Sequence, residues 1–449
     1  MKRCILYSLS GLVPLSAYSQ HTSNRNVPPN ILLIVVDDMG FSDIQPFGGE
    51  IQTPHINRLA EQGIRFTRFH TSSLSAPTRA MLLTGVDNHQ NGLGIMPPLH
   101  AENQYMQPGY EGGINHSVMT LAEVLHENNY YTCMAGKWHL GAQKENIPSE
   151  RGFDQSFTML GGGAGHFCNS FALSDSEQPV TFYPDNGKRV DKLPDDFYST
   201  RYYTDKMIEY LRKCPQNKPF FSYLAFTAPH DPLQIIPEWK NRNKGMYDGG
   251  YDSIRVARLE RQRQMGLIPA QTPDTGLSNP NKQWDFLNEE QKKEQSRKME
   301  IYASMIEYVD YSIGRVIKEL EEEHKLNNTL ILFMSDNGAN PKEPESYPGN
   351  TKETIQEKYD NQLGNYGNSN SFISLGEAWA EVCNTPYSLY KMTTHEGGIC
   401  VPLIISGKNM PQKGSIDHST LLHVTDLFPT ILELSLIHIS EPTRLRRIS

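Results

Sequence analysis

With 449 residues, 37% of them hydrophobic and 21% charged, the chain has the composition of a globular protein that buries an extensive core, as one big α/β domain or as one large and one small domain. A formal net charge of −9 with no basic cluster excludes a nucleic-acid binder. An anionic ligand would need a local positive site set against that overall charge.

At the N-terminus, Lys2 and Arg3 precede an apolar stretch over residues 5–16 and the small residues of Ala17-Tyr18-Ser19. This is the pattern of a secretory leader, so a signal peptide over 1–19, cut after Ser19, is expected. The expectation carries with it passage through the export machinery and a periplasmic or secreted location. The stretch is too short to cross a bilayer, and no later segment offers a stable membrane span. Cleavage would remove Cys4 and leave Cys133, Cys168, Cys214, Cys383 and Cys400, with no CxxC or zinc spacing among them. At most two disulfides can form, and buried free thiols are the expected state of most.

Three apolar, β-branched or aromatic runs read as strands buried on both faces of a parallel sheet. Residues 30–36 end at Asp37-Asp38-Met39-Gly40, residues 220–226 at Thr227-Ala228-Pro229-His230, and residues 329–334 at Ser335-Asp336-Asn337-Gly338. Each run carries its polar residues at the carboxyl end, where open α/β sheets bind ligands. Thr120 and Glu123 form a capping box ahead of Leu121, Val124 and Leu125. The longest helix is predicted over 298–323. Residues 241–296 read as an insertion with some helix, and residues 340–370, rich in Asn, Gly, Pro and Tyr, as a long loop. Residues 340–385 and 241–296 are expected to line the approach to the site.

Asp37, Asp38, Asp336 and Asn337 stand at two strand ends. If those strands are neighbours, three carboxylates converge and need a cation between them. The donors are all oxygen, which favours a hard cation, calcium above magnesium, over zinc. Ser75-Ala76-Pro77-Thr78-Arg79 runs on to Thr84-Gly85 as S-x-P-x-R-x-x-x-x-T-G. Pro77 suits a first helical turn with Ser75 at its N-terminal edge, where free N–H groups favour an anion. Arg79 falls on the same turn. In Gly136-Lys137-Trp138-His139-Leu140-Gly141, Lys137 and His139 would point to one side if the segment is extended. His230 follows Ala228-Pro229, and Lys391 precedes Thr394-His395-Glu396-Gly397-Gly398.

Taken in order, D-D-x-G, S-x-P-x-R, G-K-W-H-L-G, A-P-H, D-N-G and a Lys followed by E-G-G-x-x-V-P resemble the formylglycine-dependent sulfatases of the alkaline-phosphatase-like superfamily. Pro108-Gly109-Tyr110-Glu111-Gly112 and Met299-Glu300-Ile301-Tyr302-Ala303 are similar to its bacterial arylsulfatase branch. The resemblance implies an α/β fold, a large mostly parallel sheet flanked by helices, with a catalytic domain over 29–433 and a smaller C-terminal subdomain largely missing. It implies that Ser75 is oxidised to formylglycine by a serine-type sulfatase-maturating enzyme. It implies calcium ligands at Asp37, Asp38, Asp336, Asn337 and position 75. Arg79 and Lys137 would stabilise the hydrated aldehyde. His139 would be the base that collapses the sulfated intermediate. His230 and Lys391 would bind the sulfate, with His230 the acid for the leaving phenolate. The implied substrate is a sulfate ester, with one hydroxyl of the hydrate attacking sulfur. Within the same superfamily the rivals are phosphomonoesterases, phosphodiesterases and phosphonate hydrolases. A non-catalytic binder of sulfated ligands is the rival of another class.

Leu434-Ser435-Leu436-Ile437-His438-Ile439-Ser440-Glu441-Pro442-Thr443-Arg444 resembles the translation of a sequencing-library adapter. Residues 434–449 are therefore expected to be a non-native tail.

Overall fold

The computed structural model describes residues 28–97, 99–175, 181–408 and 410–435. The expected leader and residues 436–449 of the expected tail lie outside the described residues. The strands are β1 (Asn30–Asp37), β2 (Gly63–Phe66), β3 (Phe69–His70), β4 (Tyr131–Lys137), β5 (Gln155–Met159), β6 (Pro184–Asp185), β7 (Lys188–Arg189), β8 (Phe220–Pro229), β9 (Thr329–Ser335), β10 (Leu403–Ser406), β11 (Ser415–Asp417) and β12 (Leu422–His423). The helices are α1 (Pro54–Glu61), α2 (Ser75–Thr84), α3 (Asn88–Asn91), α4 (Leu121–Glu127), α5 (Ser199–Lys213), α6 (Gly250–Gln264), α7 (Glu289–Glu322), α8 (Lys352–Lys358), α9 (Glu377–Cys383), α10 (Glu396–Ile399) and α11 (Leu427–Leu434).

Ten strands form one sheet in the order β11-β2-β10-β9-β1-β8-β4-β5-β6-β7. Its centre, β9-β1-β8-β4-β5, is parallel throughout. Strand β10 joins β9 antiparallel, and the β6–β7 hairpin extends the other side. Every residue of β1, β8 and β9 is buried, as strands covered on both faces must be. Successive side chains point to opposite faces, so β1 divides its residues between two cores. Leu32, Ile34 and Val36 pack with Tyr203 and Met207 of α5 and Ile306 of α7. Ile31, Leu33 and Val35 pack with Leu82 of α2, Leu121 of α4 and Ile431 of α11. The result is the expected α/β architecture in three layers.

The capping box of α4 forms as predicted, with Thr120 Oγ1 accepting from the Glu123 N–H at 3.1 Å. Helix α7 begins at Glu289, nine residues before its predicted start. Asn288 caps it by accepting from the Glu290 and Gln291 N–H groups. Its first two turns are mostly solvated and so carry no apolar stripe to read. The long loop after β9 contains one α-helix, α8, capped by Thr351, and two short 3-10 turns. The five described cysteines are free, Cys168 exposed and the rest buried. Among the described residues no helix is long and apolar enough to cross a membrane.

Residues 241–296 contain helix as expected, α6 and the start of α7, but none of them lines the cavity described below. Helix α6 carries Arg258 into the interior, where it pairs with Asp43 at 2.8 Å and Glu50 at 2.6 Å. Asp43 in turn accepts from the Gly40 N–H and from the Tyr302 hydroxyl, bracing the turn that follows β1. Arg258→Ala would leave the buried Asp43 without its cation and Glu50 with Arg261 alone, at 3.1 Å. It is expected to cost about 3–5 kcal/mol of stability, read as a lower midpoint in urea unfolding.

Candidate active site

Strands β9, β1, β8 and β4 are adjacent and parallel, so their carboxyl ends form one edge. Val36 is in register with Ser335, and Asp37 with Pro229. The residues that follow therefore converge: Asp37 and Asp38, Asp336 and Asn337, His230, and Lys137 and His139. Helix α2 adds Ser75 and Arg79, four residues apart on one face. All ten residues of α2 are buried, and Ser75 opens it after the extended Leu74.

Ser75 Oγ donates to Asp336 Oδ2 at 2.6 Å. The Arg79 guanidinium donates to Ser75 Oγ at 2.9 Å and to Asp336 Oδ2 at 2.7 Å. Lys137 Nζ donates to both oxygens of Asp37, at 2.7 and 2.9 Å. Lys391 Nζ lies 2.7 and 2.8 Å from those of Asp38. Asp38 adopts a left-handed φ of 63°, unusual for a residue with a Cβ. It is held there by Asn337 Nδ2 on its carboxylate at 2.6 Å and by the Tyr302 hydroxyl on its carbonyl. Strain of this kind persists only where the surroundings over-determine it.

Two close backbone approaches seat Lys391. A Cβ on Gly338 would collide with the Gly397 carbonyl, and Gly338 N–H donates to Gly398 O at 3.1 Å. The D-N-G and E-G-G motifs are thus one contact, and the Lys391 N–H bonds Ala339 O beside it.

Three buried carboxylates here face three fixed cations, Arg79, Lys137 and Lys391. Burial raises the Asp37 carboxyl to about 6, with Lys137 opposing the rise. Burial works the same way on Asp336, but Arg79 and Lys137 outweigh it and hold this carboxylate far below its ordinary range. Burial lowers Lys137, and Asp37 offsets only part of that. Burial would also lower Lys391, but Asp38 and Asp37 raise it.

The donor set fits a hard cation. Oxygens of Asp37, Asp38 and Asp336 lie within 4.8 Å of one another. Asn337 Oδ1 is buried without a hydrogen-bond partner, which is costly unless something positive reaches it. Oxygen-only donors of this number suit calcium better than zinc.

His139 does not lie in an extended segment. Strand β4 ends at Lys137, and His139 turns with a left-handed φ of 60°. Both side chains still line the same cavity, through the turn rather than through strand alternation. The His139 ring lies against Gly162, where a Cβ would meet Cε1 and Nε2. Burial, then Lys137, Arg79 and Lys391, push its pKa well below the usual 6.5, so the ring is neutral. His230 behaves oppositely. Burial would lower it, but Asp38 at 3.3 Å, with Asp231 and Asp37, raises it.

Asp231 was not singled out in the sequence, although it adjoins His230. Its backbone carbonyl lies 2.7 Å and its Oδ1 2.9 Å from His230 Nδ1. The same carboxylate accepts from Asn340, Tyr347 and Ser374, all three drawn from the loop after β9 or the segment beyond it. A His whose Nδ1 faces both the carbonyl and the buried, multiply bonded carboxylate of one residue has its ring orientation fixed. Of the two segments expected to line the approach, residues 340–385 contribute Lys342, Tyr347 and Pro348, and 241–296 contribute nothing. Ser75, Lys137, His139, His230 and Lys391 all line this cavity. Arg79, Asp37, Asp38, Asp336 and Asn337 stand behind them.

Residues 29–436 match the family model described as Sulfatase. The chain belongs to the sulfatase family. It is a sulfuric ester hydrolase with the alkaline-phosphatase-like fold. The arylsulfatase of Klebsiella aerogenes is 42% identical over 408 residues, covering 91% of this chain and 86% of that one. An uncharacterized sulfatase of Schizosaccharomyces pombe is 43% identical over 419 residues, covering 91% and 75%. Among solved structures, Ps i-CgsB in complex with k-i-k-neocarrahexaose superposes with a TM-score of 0.62 at 26% identity, covering 93% of this chain and 74% of that one. The phosphonate monoester hydrolase of Agrobacterium radiobacter, at 17% identity and a TM-score of 0.52, covers 91% and 73% and shares the fold alone. Membership in a family of hydrolases sets aside the non-catalytic binder.

Proposed function

We propose that this sulfatase hydrolyses aryl sulfates to a phenol and sulfate, using an aldehyde made by oxidation of Ser75 and a calcium ion held by Asp37, Asp38, Asp336 and Asn337. The observation that carries the reading is the place of Ser75 Oγ: at the N-terminus of α2, bonded to Asp336 and Arg79, in a cavity that also presents Lys137, His139, His230 and Lys391. Hydrated, the aldehyde would supply one hydroxyl to attack sulfur and a second whose deprotonation releases sulfate, and the cation would supply positive charge.

The chain's own residues do the rest. Arg79 orients the group at position 75 and never takes its proton. Lys137 and Lys391 are charged donors facing the sulfuryl oxygens, in a water-poor pocket where their charge acts strongly. Neutral His139 takes the proton in the second half of the reaction. His230, held by Asp231 with its pKa raised, gives a proton to the departing phenolate. The two imidazoles are pushed apart in the productive direction, His139 toward the neutral base and His230 toward the protonated acid. The leader pattern at 1–19 supports export to the periplasm or beyond. The serine at position 75 supports dependence on a serine-type maturating enzyme.

The test uses protein made with such a maturating enzyme and compares 4-nitrophenyl sulfate with 4-nitrophenyl phosphate. A higher kcat/KM on the sulfate is expected. A preference for the phosphate would replace the reading with a phosphomonoesterase. In the same assay His139→Ala should release about one equivalent of phenol and then turn over about 10²–10⁴-fold more slowly. A uniform slow rate with no burst would remove His139 from the second step.

A further inference from the structure

The groups assigned above account for the sulfuryl end of a substrate and leave one cation in the cavity wall unused. Lys342 lies in the loop after β9 and lines the cavity with Ser75, His139 and Lys391. Its backbone N–H bonds Asn340 Oδ1, and its ammonium lies 4.5 Å from the centroid of the Tyr347 ring. Asn340 and Tyr347 are themselves tied to Asp231, so the stem of Lys342 rests on fixed neighbours. The ammonium group has no carboxylate within ion-pair distance among the described residues. The other two lysines of the cavity each have one: Lys137 has Asp37, and Lys391 has Asp38. Lys342 is partly buried, and Lys391 acts on it as a like charge. A half-buried ammonium beside another, compensated by an aromatic face and by Asp231 and Asp38 beyond ion-pair distance, which burial and Lys391 outweigh, has room for an anion of its own.

The rest of the wall says what carries that anion. Leu74, Met96, Leu99, Leu173, Pro348 and Met392 line the cavity with apolar surface. Ser174 adds a hydroxyl, but it donates to Pro348 O. Such a wall suits a flat ring and offers few partners to the hydroxyls of a sugar.

Resting on the sulfate-ester reading, we propose that Lys342 forms a second anion subsite for the leaving group, and that the preferred substrates are aryl sulfates whose ring bears a further anionic substituent such as a carboxylate.

The experiment measures kcat/KM for 3- and 4-carboxyphenyl sulfate and for the matching carboxamides, on the oxidised enzyme and on Lys342→Met and Lys342→Arg. The carboxylate-to-carboxamide ratio cancels effects common to both esters. In Lys342→Met that ratio should fall about tenfold for at least one ring position, the size expected for losing a charge-assisted contact. Lys342→Arg should retain most of it. High salt should shrink the wild-type ratio toward that of Lys342→Met. An unchanged ratio overturns the subsite. Equal losses on carboxylate and carboxamide also overturn it, because they place Lys342 on the sulfuryl group. A wild type inactive on all four esters overturns the sulfate-ester reading itself, an outcome distinct from either.

Discussion

Ser75→Ala is expected to lower kcat/KM on aryl sulfates by about 10⁴-fold or more, and wild-type protein made without serine-type maturation should be equally inactive. The second half of that expectation comes from the surroundings of the hydroxyl. A serine nucleophile needs an adjacent base. The closest acceptor of the Ser75 proton is Asp336, at 2.6 Å. Arg79 and Lys137 hold Asp336 far below its ordinary range in spite of its burial, so it accepts a hydrogen bond without taking the proton. Arg79, on the other side of Ser75 Oγ, only donates. An encoded serine is therefore well positioned and poorly activated. Oxidation would change the chemistry, because a hydrated aldehyde carries two hydroxyls on the same carbon. Mass spectrometry of the peptide containing Ser75 should show a species lighter by two hydrogens, and activity should scale with its fraction. Full activity from a chain whose Ser75 is wholly unmodified would sink the aldehyde reading. Ser75→Ala should melt close to the wild type, which separates lost chemistry from lost folding.

Much of this site was legible because strand ends are short-range features. The runs that became β1, β8 and β9 are continuous, apolar and buried on both faces, and each breaks off at the residues that matter. Their adjacency was a condition that the sequence left open, and the sheet order β9-β1-β8 meets it. What stayed hidden depends on contacts far apart in sequence. Nothing in the string around Arg258 announces that it reaches Asp43 and Glu50 across more than two hundred positions. Asp231, between His230 and Pro232, belongs to none of the motifs read in the sequence, and its partners Asn340, Tyr347 and Ser374 come from a segment with no periodicity. The left-handed turn at His139 replaced the extended geometry that alternation suggested, because β4 stops at Lys137. The first turns of α7 escaped for the opposite reason: a solvated helix end has only its cap as a signal.

Removing the cation is expected to lower kcat/KM by about 10²-fold or more, the several kcal/mol that a metal contributes to a charged transition state. The argument is one of charge. Asp37, Asp38 and Asp336 are balanced by Arg79, Lys137 and Lys391, so the cluster is close to neutral on its own. A sulfate ester adds a negative charge, and the chain as a whole, at −9, repels it. Lys137 and Lys391 already spend hydrogen bonds on Asp37 and Asp38. A divalent ion among the carboxylates would turn a neutral cluster positive and free those ammonium groups to face the sulfuryl oxygens. It would also reach Asn337 Oδ1, which has no partner otherwise. Binding to the folded chain alone should stabilise it by about 2.7 kcal/mol when calcium stands at 100 times its Kd. Melting curves in calcium and in EGTA should therefore separate, and calcium should restore both stability and rate. Asn337→Ala keeps every charge and removes the unpartnered oxygen, so its calcium-dependent shift should shrink. Asp336→Asn should abolish the shift and lower stability further, because the one carboxylate left to Arg79 would be Asp37, at 3.6 Å. A chelated chain with full rate and an unshifted melting curve would mean that the three carboxylates serve their lysine and arginine partners alone.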